Sequence, residues 1–75
     1  MKKDFIKALK NGSEIVVISA DKNTNSAVFY MKHGKLYTWS REIGTIERTD
    51  RTLEEINTHL NFMLTENAQV IVRGY

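Results

Sequence analysis

The chain reads as an α+β fold: a mainly antiparallel sheet with helices packed on it, in the order α-β-β-β-α-β. Three observations predict it. Two β-prone runs flank His33-Gly34, a dipeptide suited to a two-residue hairpin turn. Four consecutive β-branched residues stand at Ile15–Ile18. A capped, amphipathic helical stripe runs from Leu53 to Leu64. The 75 residues make one domain, 1–75, too short to bury two cores.

In chain order, residues 3–11 read as a short helix. Phe5, Ala8 and Leu9 fall at i, i+3 and i+4, with Lys3, Lys7 and Lys10 toward the other side. Asn11-Gly12 supplies the glycine at which helices commonly stop. Glu14–Ser19 is the first strand, and its lack of a polar face is the pattern of a central strand buried on both sides. A polar loop at Asp21–Asn25 returns the chain into the hairpin Ala27–Ser40.

A turn at His33-Gly34 sets the hairpin register. Lys32 faces Lys35, Met31 faces Leu36, Tyr30 faces Tyr37, Phe29 faces Thr38 and Val28 faces Trp39. Successive residues alternate faces, so Ala27, Phe29, Met31, Leu36, Thr38 and Ser40 share one side. Val28, Tyr30, Lys32, Lys35, Tyr37 and Trp39 share the other, an aromatic face with two lysines at its end.

From Arg41 to Arg51 two readings are open: an extension of the third strand with a bulge at Gly44, or an extra short strand at 43–48. Mixed charge here discourages edge-to-edge aggregation. Thr52-Leu53-Glu54-Glu55 fits a capping box. Leu53, Ile56, Leu60, Met63 and Leu64 form the apolar stripe of the second helix, and Phe62 lies almost opposite it. Gln69–Arg73 is a final strand. A helical crossover should bring it back parallel to its neighbour, Ile15–Ile18, giving the sheet order last-first-second-third.

That order puts Val16 and Ile18 on the aromatic face, and Ile15 and Val17 with Phe29, Met31 and Leu36. Both faces are then apolar, yet there are only two helices, one of them short. Either each helix covers one face, or one face is left for a partner.

Catalytic chemistry finds little support. The glycines at 12, 34, 44 and 74 are too scattered to cradle a phosphate. The absence of cysteine excludes disulfides, thiolate catalysis and cysteine-based metal sites. Glu55 and His59 lie one helical turn apart but lack a third member, and His33 reads as a solvated turn residue. No enzyme activity, metal or cofactor is expected.

The net charge of +2 permits contact with nucleic acid without demanding it. Asp4, Lys7 and Lys10 interrupt any apolar signal segment, and no run reaches membrane-spanning length, so a cytoplasmic location and no membrane partner are expected. The functional expectation is a small accessory or regulatory protein acting by contact with a macromolecule. It self-associates, as a homodimer, through Val28, Tyr30, Lys32, Lys35, Tyr37 and Trp39, with Phe62 as a further exposed aromatic. The alternative is that Tyr30, Tyr37 and Trp39 stack the bases of single-stranded nucleic acid while Lys32 and Lys35 meet phosphates.

Overall fold

A computed structural model describes residues 3–19, 26–41 and 44–74. The elements are α1 (Ile6–Lys10), β1 (Glu14–Ile18), β2 (Ser26–Lys32), β3 (Lys35–Ser40), β4 (Ile46–Arg48), α2 (Leu53–Thr65) and β5 (Gln69–Arg73). They form one five-stranded sheet in the order β4-β3-β2-β1-β5, antiparallel at every junction. The polar loop expected at Asp21–Asn25 lies outside the described residues, as do Glu42 and Ile43.

The β2–β3 register is the one the turn predicts, from Ala27 opposite Ser40 to Lys32 opposite Lys35. His33 and Gly34 both take positive φ, 53° and 73°. Two successive left-handed residues make the turn whose twist matches the flanking strands. Beyond β3, the chain forms a separate edge strand rather than a bulged extension. The Gly44 N–H donates to the Ser40 carbonyl at 2.8 Å, and Trp39 then pairs with Ile46.

One expectation is corrected. β5 is the neighbour of β1, in the predicted order, but it runs antiparallel to it. The physical reason is β4. By inserting one more reversal before α2, β4 makes the crossover join β4 to β5, two strands of like direction at opposite edges of the sheet. The parallel partner of β5 is therefore the far edge strand and not its neighbour.

Both helices end in a left-handed residue that closes the last turn. At α1 the Gly12 N–H donates to the Leu9 carbonyl and the Ser13 N–H to that of Ala8, with Gly12 at φ 90°. At α2 the Asn67 N–H reaches Leu64 and the Ala68 N–H reaches Met63, with Asn67 at φ 64°. α2 opens on the capping box: Thr52 Oγ1 accepts from the Glu55 N–H at 3.1 Å, and Glu55 Oε1 accepts from the Thr52 N–H at 3.0 Å. At α1 the Asp4 carboxylate accepts from the Ile6 N–H at 3.0 Å.

A feature the sequence did not announce ties the helices together. Asn57 is buried on α2, and its Oδ1 accepts from the Phe5 N–H at 2.7 Å. One turn later, Asn61 Oδ1 accepts from the Lys3 N–H at 2.7 Å while Nδ2 donates to the Lys3 carbonyl at 2.9 Å. The Asn61 amide thus pairs with a stretch of backbone as a strand would. These bonds dock α1, too short to be stable alone, beside α2. Phe5 and Leu9 then join Ile15, Val17, Phe29, Leu36, Ile56, Leu60 and Ala68 in one buried core.

Candidate interaction surface

Because α1 and α2 contribute to the same core as Ile15, Val17, Phe29 and Leu36, both helices lie on one face of the sheet. No described element covers the other. β1 is a central strand as its sequence predicts, but the expectation that it is buried on both sides fails. Ile15 and Val17 are sealed, whereas Val16 is half-buried and Ile18 is 41% exposed.

The open face is ordered in rows by the registers. One apolar row crosses the whole sheet: Ile46, Trp39, Val28, Val16 and Ile71, one residue from each strand. Its ends are the most exposed, Ile46 at 59% and Ile71 at 40%, while Trp39, Val28 and Val16 are half-buried by their neighbours. The next row holds Arg48, Tyr37 and Tyr30, with Glu14 and Arg73 completing it at the β5 edge. The rings of Tyr30 and Tyr37 stack on each other, centroids 5.7 Å apart and 17° from parallel. Arg73 Nη2 donates to Glu14 Oε1 at 2.7 Å, closing that edge with an exposed ion pair. Lys32 and Lys35 face one another, exposed, at the turn end.

Six of the seven residues the sequence singles out therefore stand on one surface: Val28, Tyr30, Lys32, Lys35, Tyr37 and Trp39. Phe62 does not join them. It is 57% exposed on α2, and α2 lies across the opposite face of the sheet. Sequence reasoning missed Ile46, Arg48 and Ile71, which complete the rows. Their alternation is readable, but their alignment with Trp39, Tyr37 and Val16 depends on which strands become neighbours.

On the helical side, the Glu55–His59 pair is resolved as two separate structural groups. The Glu55 carboxylate turns back onto Thr52, and its hydrogen bonds with the Thr52 backbone and hydroxyl hold its pKa below the usual carboxylate value. His59 instead meets Phe29 edge-on, centroids 6.3 Å apart. Burial there pushes its pKa below the usual histidine value, with a smaller push from the Arg51 guanidinium, so the imidazole is neutral at pH 7.

His59 borders a half-enclosed cleft of about 390 Å³ between α2 and the β2–β3 half of the sheet. The cleft exists because two helices, one of them five residues long, do not reach across five strands. Among the described residues no group of three or more histidine, cysteine or acidic side chains is placed to hold a metal ion. Among them, too, no helix is long and apolar enough to cross a membrane. Comparison with protein-family models, curated proteins and solved structures finds no match, which leaves the surface to be read from its own geometry.

Proposed function

We propose that this is a non-enzymatic protein that works by macromolecular contact, and that its open sheet face is a self-association surface. The observation that carries the reading is the uncovered row Ile46–Trp39–Val28–Val16–Ile71, apolar from edge to edge of the sheet. Five strands about 4.8 Å apart and about five residues of 3.3 Å each make a face of roughly 24 by 17 Å. That is on the order of 400 Å² in projection, the size of the exposed patches that are often functional on small proteins. With the relief of its side chains it is of the order of the ~800 Å² that each partner buries in a standard interface.

A second copy is the occupant that best suits the face. Its centre is aliphatic and aromatic and its charges, Arg48, Arg73, Glu14, Lys32 and Lys35, stand at the margins, which is the arrangement of an interface core and rim. Two such sheets can stack about 10 Å apart as in a β-sandwich, with inner faces interdigitating. Nucleic acid fits less well, because Tyr30 and Tyr37 already spend one ring face on each other.

Sedimentation at tens of micromolar tests the proposal. The wild type should run as a dimer, and Trp39→Glu as a folded monomer with the helical content of the wild type. Should Trp39→Glu fail to fold, Val16→Lys serves in its place. A wild type that is monomeric at the highest concentration overturns the reading. So does salt-reversible quenching of Trp39 by a mixed-sequence single-stranded oligonucleotide, which would assign the face to base stacking instead.

A further inference from the structure

The geometry points to a binding site for a small amphipathic anion, a carboxylate on an apolar body, in the cleft between α2 and the β2–β3 half of the sheet. This site lies on the opposite side of the sheet from the self-association face and stands or falls independently of it.

Half of the cleft's lining is apolar: Val17, Ala27 and Phe29 from the sheet, Ile56 and Met63 from α2. Its polar groups come from Thr38 and Ser40 on β3, Thr49 and Arg51 on the β4–α2 connection, and His59 on α2. An apolar surface with a few polar groups, at about 390 Å³, is the composition and size of a ligand pocket.

The charge balance chooses the ligand. Arg51 is the one formally charged residue among the described residues that line the cleft. It forms no ion pair within 4 Å among the described residues, where the pairs are Arg48 with Asp50 and Arg73 with Glu14. The nearest acidic neighbour on α2, Glu55, has its carboxylate committed to the Thr52 backbone. Arg51 feels the Glu55 charge but forms no close ion pair among the described residues, so its planar fork of donors is open to a further carboxylate, which such a fork recognises in two-point fashion. The neutral His59 imidazole adds one N–H donor beside it.

The cleft is open in shape for an extended apolar body. Beyond Arg51 and His59 the surface continues along α2 past Glu54, Glu55 and Thr58 to Phe62, so its acidic side chains keep an anion's carboxylate on the cleft side of Arg51. A ligand whose carboxylate sits at Arg51 can thus bury its apolar body over Phe29 and Met63, in the cleft whose lining residues include no carboxylate.

Titration of the full chain with octanoate, followed by NMR, tests the site. Shifts should concentrate at Ala27, Thr38, His59 and the Met63 methyl, with the Trp39 indole N–H unmoved. Affinity should rise from acetate to butyrate to octanoate, as apolar burial requires. Arg51→Gln, an exposed position whose replacement leaves the fold intact, should weaken octanoate about tenfold or more, the loss of a charge-assisted pair. Equal binding of octan-1-ol, equal binding of acetate, or no loss in Arg51→Gln each overturns the proposal. Shifts centred on Trp39 and Val16 overturn it as well, by moving the anion to the open face.

Discussion

On the helical face of the sheet Ile15, Val17, Phe29 and Leu36 are at most 6% exposed, whereas on the open face Val16, Val28, Tyr30, Tyr37 and Trp39 remain half-exposed. The same three strands supply both sets, and the open one differs in carrying the polar tips of two tyrosines and a tryptophan on an otherwise apolar surface. Alternation along a strand decides which residues go together but not which set is buried. Burial follows the helices. Both helices turn their apolar sides to the same face because Asn57 and Asn61 hold α1 against α2, and their stripes cannot divide between two faces. The lesson is that a two-sided apolar sheet with one-sided cover leaves a face whose stability role and interaction role can be separated by mutation.

The largest expected effect lies on the covered face. Leu60→Ala removes a side chain that is fully buried and should cost about 2–5 kcal/mol, measured by urea denaturation. If the loss is much smaller, α2 is not the lid of the core. Next comes the clamp. Asn57→Ala leaves the Phe5 N–H without its partner and should cost about 1–3 kcal/mol, with amide exchange accelerating first through α1. Thr52→Ala breaks the capping box and should cost about 0.5–2 kcal/mol, with the fraying confined to the first turn of α2.

The contrast sharpens on the open face. Val16→Thr keeps the shape of a residue in the middle of the apolar row and should change the stability of the monomer by less than about 0.5 kcal/mol, as surface substitutions usually do. Its effect should appear instead as a weaker dimer in sedimentation. A large monomer destabilisation would mean that the face is part of the intrachain core.

The smallest effect is a pH dependence from the covered side. His59 is depressed below its ordinary value near 6.5 in the folded chain, chiefly by burial. The unfolded chain therefore takes up the proton first, and stability declines as pH falls below about 6.5 and through the folded value. Above that range His59 contributes no slope. Glu55 titrates below 4.5, where its lost bonds to Thr52 would add a second decline, so urea midpoints at pH 7.5 and 5.5 isolate the histidine. His59→Gln should flatten the difference, and a decline of unchanged size would place the titration elsewhere.

Much of the architecture is legible from local patterns. Each helix end is marked by its own residues, Gly12 and Asn67 at the left-handed positions and Thr52 with Glu55 at the cap. The hairpin register follows from His33-Gly34, because a two-residue turn leaves only one pairing of β2 with β3. The apolar stripe of α2 identifies Ile56 and Leu60 as core, and both are fully buried. These features are local: each depends on residues within a turn or a hairpin of one another, and the chain cannot choose otherwise at small cost.

What the tertiary structure alone decided is long-range. The direction of β5 hangs on whether Ile46–Arg48 pairs with β3, a three-residue strand that the sequence offers only as one of two readings. The extension of the aromatic face to Ile46 and Ile71 depends on that pairing and on the pairing of β5 with β1. Phe62 reads as exposed from its place on the helix, but only the docking of α2 separates it from Trp39. That both helices share one face is secured by two asparagine side chains on α2 meeting the backbone of residues 3–5, across more than fifty positions of sequence. Sequence pattern states what each segment can bury; only the closed fold states against what, because the competition among faces is won by contacts between residues far apart in the chain.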